Sequence, residues 1–353
     1  MTHLISGYSP FVDWLPKVSE ANNLQLAEII QLELYRYLLS RTNNFGAVLT
    51  QDGALNIGET NAAFQLRFMS YRLTERFVCK SLTDLIPLIK PQIDLNANHK
   101  EETSNPLFTL SQFNKFTYLI RLLEYVTQRE IFEAFGYRSA DLIRDFLLRY
   151  RKSDSLFAES GKVSSLADTR RAVSILYAYG ISLEEIDPNL PGAIRNALKE
   201  RRSPLGGFCD TPGEKVPTLL STFAGVYLSH VIEEEPGKRI TVKSDPAFAN
   251  ATLSFVEKMF SPNGGYRMDG LTPSPTLMST AQAVFTVGML NDYKYTALPR
   301  KKILTYLDSL DQDDSGSVAD EWSQISDLES TLLGIVVRLL LKDDLVIPLR
   351  RRY

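Results

Sequence analysis

The sequence predicts an all-α protein, six helical hairpins closing into one (α/α)6 toroid. Three observations carry that expectation. Between Gly206 and Leu341 one pattern is written three times: a turn of small residues, a loop, then Ser-Thr opening an apolar helix. Thr residues of the same phase stand at 60, 117, 169, 222, 280 and 331, spaced 57, 52, 53, 58 and 51 residues apart. Apolar residues keep helical spacing along the chain, and no stretch alternates as a strand would. A period of fifty-odd residues holds two helices and two loops, so each period reads as one hairpin.

The first clear copy runs Gly206-Gly207-Phe208, Pro212-Gly213, Pro217 and Ser221-Thr222-Phe223-Ala224-Gly225. The second runs Gly264-Gly265-Tyr266, Pro273, Pro275 and Ser279-Thr280-Ala281-Gln282-Ala283. The third is more worn, from Ser315-Gly316-Ser317 to Asp327-Leu328-Glu329-Ser330-Thr331. Small turn residues allow positive φ and close backbone approach. The Ser-Thr hydroxyls are placed to cap free N–H groups at the helix start. Three residues after Thr stands Gly225, Ala283 or Gly334, on the same helix face, where a second helix is expected to pack closely. Such a unit cannot bury its own apolar face, so units stack. The rule extends to Thr169 with Ala172 and to Thr60 with Ala63, the latter preceded by Asn43-Asn44-Phe45-Gly46. Thr117 keeps the phase, but Ile120 fills the small position.

The string Gly-Gly-Phe-x-x-x-Pro-Gly-x-x-x-Pro-x-x-x-Ser-Thr-x-x-Ala/Gly resembles the repeat of protein prenyltransferase β subunits and squalene/terpene cyclases. Residues 206–232 carry it best, 264–290 carry it well, and the phase extends more weakly over 43–341. The resemblance implies a toroid with the Thr helices as inner ring and the intervening helices outside. An apolar, isoprenoid-like substrate is then expected in a central cavity lined by inner helices. That fold serves several chemistries and also non-enzymes, so function has to come from residues.

Composition narrows the classes. An unbroken repeat over 353 residues argues for one domain, with an irregular segment at 1–18 and a tail at 342–353. A hydrophobic content of 44% suffices for a large core, and a net charge of −3 favours neither nucleic acid nor an anionic membrane surface. The only cysteines, Cys79 and Cys209, form no CxxC, which suits a reducing compartment without a disulfide framework. Met1 to Lys17 lacks a basic region followed by an apolar run, and Leu332–Leu341 is too short to span a membrane. The expected location is cytoplasmic. Helices are expected near 19–40, 59–75, 81–95, 107–127, 129–151, 168–180, 188–201, 246–260 and 299–310, with Gly180 as a C-cap.

The candidate chemistry starts with what is missing. Prenyltransferase β subunits hold zinc through Asp-x-Cys and a later His, and here Cys209 precedes Asp210 while His230 stands alone on an apolar helix. No zinc site is therefore expected. Class II cyclases protonate an alkene with an Asp-x-Asp-Asp-Thr acid at an inner-helix start. Asp311-Gln312-Asp313-Asp314 spells its first four letters but precedes the turn, whereas Asp327-Leu328-Glu329-Ser330-Thr331 is in phase. Glu329, with Asp327 and Asp168 at similar sites, is the candidate acid. Each equally suits helix-dipole compensation. Asp311, Asp313 and Ser315 match positions 1, 3 and 5 of a calcium-type loop, a potential Ca or Mg ligand set, yet Trp322 replaces the bidentate Glu. A solvated acidic turn explains that segment as well. The aromatics Phe64, Phe68, Phe113, Phe116, Tyr177, Phe223, Tyr227 and Phe285 on the expected inner helices would stabilise carbocations in a cyclase, or else are plain core, with Phe64, Phe68, Tyr177, Phe223, Tyr227 and Phe285 the candidate substrate contacts. Acid-initiated cyclisation of an isoprenoid is one expectation, and a non-catalytic toroid binding a lipid or a partner protein is the other.

Overall fold

The computed structural model describes residues 42, 47–50, 55–69, 89–91, 93, 108–127, 130–161, 163–233, 245–291, 295, 298–312, 316–317, 320 and 328–342. The helix expected over 19–40 lies outside them, and of 81–95 only 89–91 and 93 are described, as helix. Twelve helices of four or more residues are described, with strands of two residues only. The chain divides into two compact units, one of residues 1–150, 174–182 and 313–316, the other of 151–173, 183–312 and 317–353.

In the first unit α1 (Ile57–Met69) lies along α2 (Leu110–Thr127), and α2 meets α3 (Ile131–Ala134). The single helix expected over 129–151 is in fact two, α3 and α4 (Ser139–Leu148). Gly136 causes the break. It takes φ +85, its N–H donates to Glu133 O (2.9 Å), and Tyr137 N–H donates to Phe132 O (3.0 Å). That pair of bonds is a Schellman stop, which a left-handed Gly permits. The same stop ends α5 (Leu166–Ala178) at Gly180, φ +66, as the sequence predicts.

The second unit alternates helices. In order come α6 (Leu183–Ile186), α7 (Leu190–Glu200), α8 (Leu219–Glu233), α9 (Pro246–Lys258), α10 (Leu277–Leu290), α11 (Arg300–Ser309) and α12 (Leu328–Lys342). The Thr-bearing helices α8, α10 and α12 pack side by side, and α7, α9 and α11 back them in turn. Strand β1 (Tyr266–Arg267) pairs antiparallel with β2 (Pro275–Thr276), a short ladder between turn and helix start that periodicity does not reveal.

The repeated Thr is buried at all six positions: Thr60, Thr117, Thr169, Thr222 and Thr280 show no exposure and Thr331 shows 4%. Its hydroxyl does not cap its own helix start. In four units it accepts the N–H of the residue after the turn: Val48 (2.9 Å), Phe157 (3.2 Å), Phe208 (3.0 Å) and Tyr266 (3.0 Å). Capping falls to the residues before it. Thr276 accepts Ser279 N–H (3.0 Å) and Ser279 accepts Thr276 N–H (3.1 Å), a reciprocal box that Thr218 and Ser221 repeat. In those four units Thr therefore ties the loop to its helix, a link of about 1 kcal/mol when made and more when broken inside the core.

Two glycine contacts fix the loops on the outer helices. A Cβ on Gly206, φ +85, would come 2.2 Å from Ala251 O of α9, and one on Gly264, φ +106, would come 2.3 Å from Lys302 O of α11. Gly225 behaves differently from the expectation. Its closest neighbour is not a second helix but the Phe208 ring of its own loop, 2.4 Å from a notional Cβ. The small residue leaves room for the loop aromatic.

Candidate functional site

On α8 and α10 the repeat sets aromatic residues at matching positions, Tyr227 and Phe285 each five residues after the repeat Thr. Phe223 follows Thr222, and Tyr227 lies four residues on, hence on the same helix face. The Phe223 and Phe285 ring centroids are 5.9 Å apart, and Phe223, Tyr227 and Phe285 are each less than a tenth exposed. Arg170 of α5, one residue after Thr169, brings its guanidinium 5.2 Å from the Phe223 ring centroid and is itself buried. Sequence inspection passed over this arginine. A charged residue directly after a repeat Thr was the available signal, since none of the other five such positions carries a charge.

The carboxylates are placed less uniformly. Asp168 is buried, and both oxygens are engaged: one accepts Glu159 N–H (2.7 Å) and the other meets Arg171 Nη1. Glu329 stands half-buried in the first turn of α12, the helix packed against α10. Asp327, Asp313 and Ser315 lie outside the described residues, and Asp311 lies in β3 (Asp311–Gln312) with its side chain outside them. Phe64 is buried in α1, Tyr177 is half-buried in α5, and the Phe68 side chain lies outside the described residues. Phe113 and Phe116 are packing residues. Phe113 stacks on Phe146 of α4 at 3.6 Å, and Phe116 lies 6.4 Å from Phe132 of α3.

Among the described residues no group of three or more His, Cys, Asp and Glu could hold a metal ion. Cys209 is buried, and burial pushes its thiol up, which disfavours the thiolate a metal would need. His230 has Nε2 3.2 Å from Met289 O, a helix-to-helix contact.

Against this geometry the comparisons are specific about fold. A family model described as the prenyltransferase alpha-alpha toroid domain matches residues 238–350. The type II terpene cyclase MstE from Scytonema superposes with TM-score 0.52 at 11% identity, over 94% of this chain and 98% of that one. Protein geranylgeranyltransferase-I of Candida albicans, complexed with GGPP, gives 0.53 at 12% identity, over 80% and 83%. An MstE variant in complex with its product merosterolic acid A gives 0.50 at 11%, over 93% and 98%. The fold is the α/α toroid of the prenyltransferase and terpene cyclase type. No curated protein matches in sequence. Identities this low carry the toroid and leave its chemistry to the residues. No helix among the described residues is long and apolar enough to cross a membrane.

Proposed function

We propose that the protein binds an isoprenoid-like apolar molecule against Phe223, Tyr227 and Phe285. The observation that supports it most is the aromatic trio on two adjacent inner helices, α8 and α10, of a toroid whose structural relatives hold GGPP or merosterolic acid A. Apolar chains gain about 25 cal/mol for each Å² they bury, so a ligand here gains as much as the rings, each less than a tenth exposed, open toward it.

Cyclisation is the reaction the sequence suggests, with Glu329 as acid and Asp327 beside it. Asp168 fits that role less well, because Arg171 and Glu159 N–H already engage it. The Arg170 cation also weighs against carbocation chemistry at this ring. A carbocation on the other face of Phe223 would sit about 9 Å from the guanidinium, and at an effective dielectric near 20 their repulsion is about 2 kcal/mol. That offsets the roughly 0.5–2 kcal/mol a ring face offers a cation. Binding is therefore favoured over cyclisation. A second reading, a scaffold for a lipid or partner protein, draws support from how deeply the three rings are buried, as in a filled core.

The test is native mass spectrometry and thermal shift with geranylgeranyl diphosphate, geranylgeraniol and squalene, with extraction and product analysis in parallel. Saturable binding that Phe223→Leu and Phe285→Leu weaken at retained fold supports the reading. Absence of binding by the wild type hands the case to the scaffold. A cyclised product lost in Glu329→Gln but kept in Asp168→Asn would restore the cyclase and overturn the argument from Arg170.

A further inference from the structure

Among the three turns whose hydrogen bonds are described, one departs from the others at the contact with the following helix. Three turns are superposable by their hydrogen bonds: Ser155 N–H to Lys152 O (3.0 Å), Gly206 N–H to Ser203 O (3.0 Å) and Gly264 N–H to Ser261 O (2.9 Å). The bridges Arg151↔Phe157, Arg202↔Phe208 and Phe260↔Tyr266 set the same register. In two of these units glycine is obligatory, since a Cβ on Gly206 or Gly264 would strike the backbone of the next outer helix. The third unit carries Ser155, a non-glycine residue at φ +66 with a Cβ in that place. Its outer helix α7 must therefore stand back from the turn.

The residues of α7 agree. Five residues before Arg202 and Phe260 stand Ala197 and Phe255, so Ala197 takes the position from which Phe255 covers Gly207. Leu156 replaces Gly207, which restores the bulk from the loop side and leaves the helix side small. An open cleft of about 760 Å³ lies there, between residues 153–156 and the segment 184–201. That volume is in the range of small-molecule sites. A Cβ on Gly192, also lining it, would meet nothing within 4 Å.

Charge gives the ligand class. Arg201 turns inward, its side chain 1% exposed, donating through Nη1 to Asp210 O (2.9 Å) and through Nη2 to Ser164 Oγ (2.6 Å). Asp154 is likewise engaged, accepting Leu156 N–H (3.2 Å) and the Ser164 hydroxyl at 2.5 Å. The other charged lining residues are Glu184, Glu200 and Arg195, two carboxylates to one guanidinium. Leu156, Pro188, Pro191 and Ala197 add apolar wall. We propose that this cleft binds an alkylamine, its methylenes on the prolines and Leu156 and its ammonium groups at the carboxylates of Glu184 and Glu200. A free polyamine and a lysine side chain share that chemistry. The site is independent of the inner-helix aromatics.

Titration calorimetry of the full chain with spermidine, with trilysine peptide and with 1,6-hexanediol as the uncharged control tests it. Saturable binding of spermidine or of the peptide is expected, and whichever binds more tightly identifies the source. Gly192→Phe should abolish it, since the ring enters the open cleft. Glu184→Gln and Glu200→Gln should each weaken it several-fold, and added salt should weaken it too. Gly192→Gln serves if the Phe variant loses its helical circular dichroism. No saturable amine binding, unchanged affinity in the Gly192 variants, or equal binding of the diol would overturn the proposal.

Discussion

Replacing Gly206 by Ala separates two costs that the repeat imposes on its turns. The residue holds φ +85, and its new Cβ would lie 2.2 Å from Ala251 O and 2.9 Å from Ala251 C. A left-handed conformation costs a non-glycine residue about 1–2 kcal/mol. Overpacking against backbone, which cannot rotate away, adds about 1–3 kcal/mol. The sum is about 2–5 kcal/mol. Gly213 supplies the control, because it takes φ +82 while a Cβ there would meet nothing within 4 Å. Gly213→Ala should therefore carry the conformational cost alone. Urea unfolding followed by circular dichroism measures both, and the excess in Gly206→Ala is the contact with α9. Equal destabilisation by the two variants would refute the close approach and, with it, the reasoning that places α7 further from Ser155.

Other perturbations probe separate links. Thr222→Val removes the acceptor of Phe208 N–H inside the core and should cost about 1–3 kcal/mol in the same unfolding assay. Gly225→Leu should destabilise by about 1–3 kcal/mol through collision with the Phe208 ring, and Phe208→Ala should relieve much of it; additivity in that double-mutant cycle would mean that Gly225 faces something else. Glu124 is buried beside Arg121 (2.8 Å) and accepts Ile131 N–H (3.0 Å), yet burial holds its carboxyl above its ordinary 4.5. A raised folded value means the folded state keeps the proton longer, so this contribution is complete below 4.5 and lost as pH rises through the folded value. Wild-type stability should accordingly fall relative to Glu124→Gln between those limits, and parallel pH profiles would show that burial does not control the group.

The fold was legible because its period is a packing requirement. In four units the Thr must be buried to reach the N–H after the turn, and the turn must be small where α9 or α11 presses on it, so both constraints leave a mark in the sequence. What the spacing could not say was the partner. Ser-Thr at a helix start suggests capping, but Ser221 and Ser279 cap with Thr218 and Thr276 while the following Thr reaches the loop. A small residue three positions on suggests helix contact, but the Phe208 ring fills the space beside Gly225. Both partners come from the loop, whose path depends on contacts distant in sequence.

The candidate site was less legible for a related reason. Helical spacing assigns a face but not what that face meets, so Phe113 and Phe223 look alike in sequence although one stacks on Phe146 and the other lies beside Arg170. Asp168 and Glu329 both stand in the first turn of a Thr helix, yet Arg171 and Glu159 N–H engage the first. Departures from the repeat carry more information than the repeat itself. Arg170 is the one charged residue directly after a repeat Thr, and Ser155 stands where two other turns carry Gly206 and Gly264. Each retains a feature that packing alone would remove, a buried charge costing several kcal/mol to desolvate in one case and a strained φ in the other.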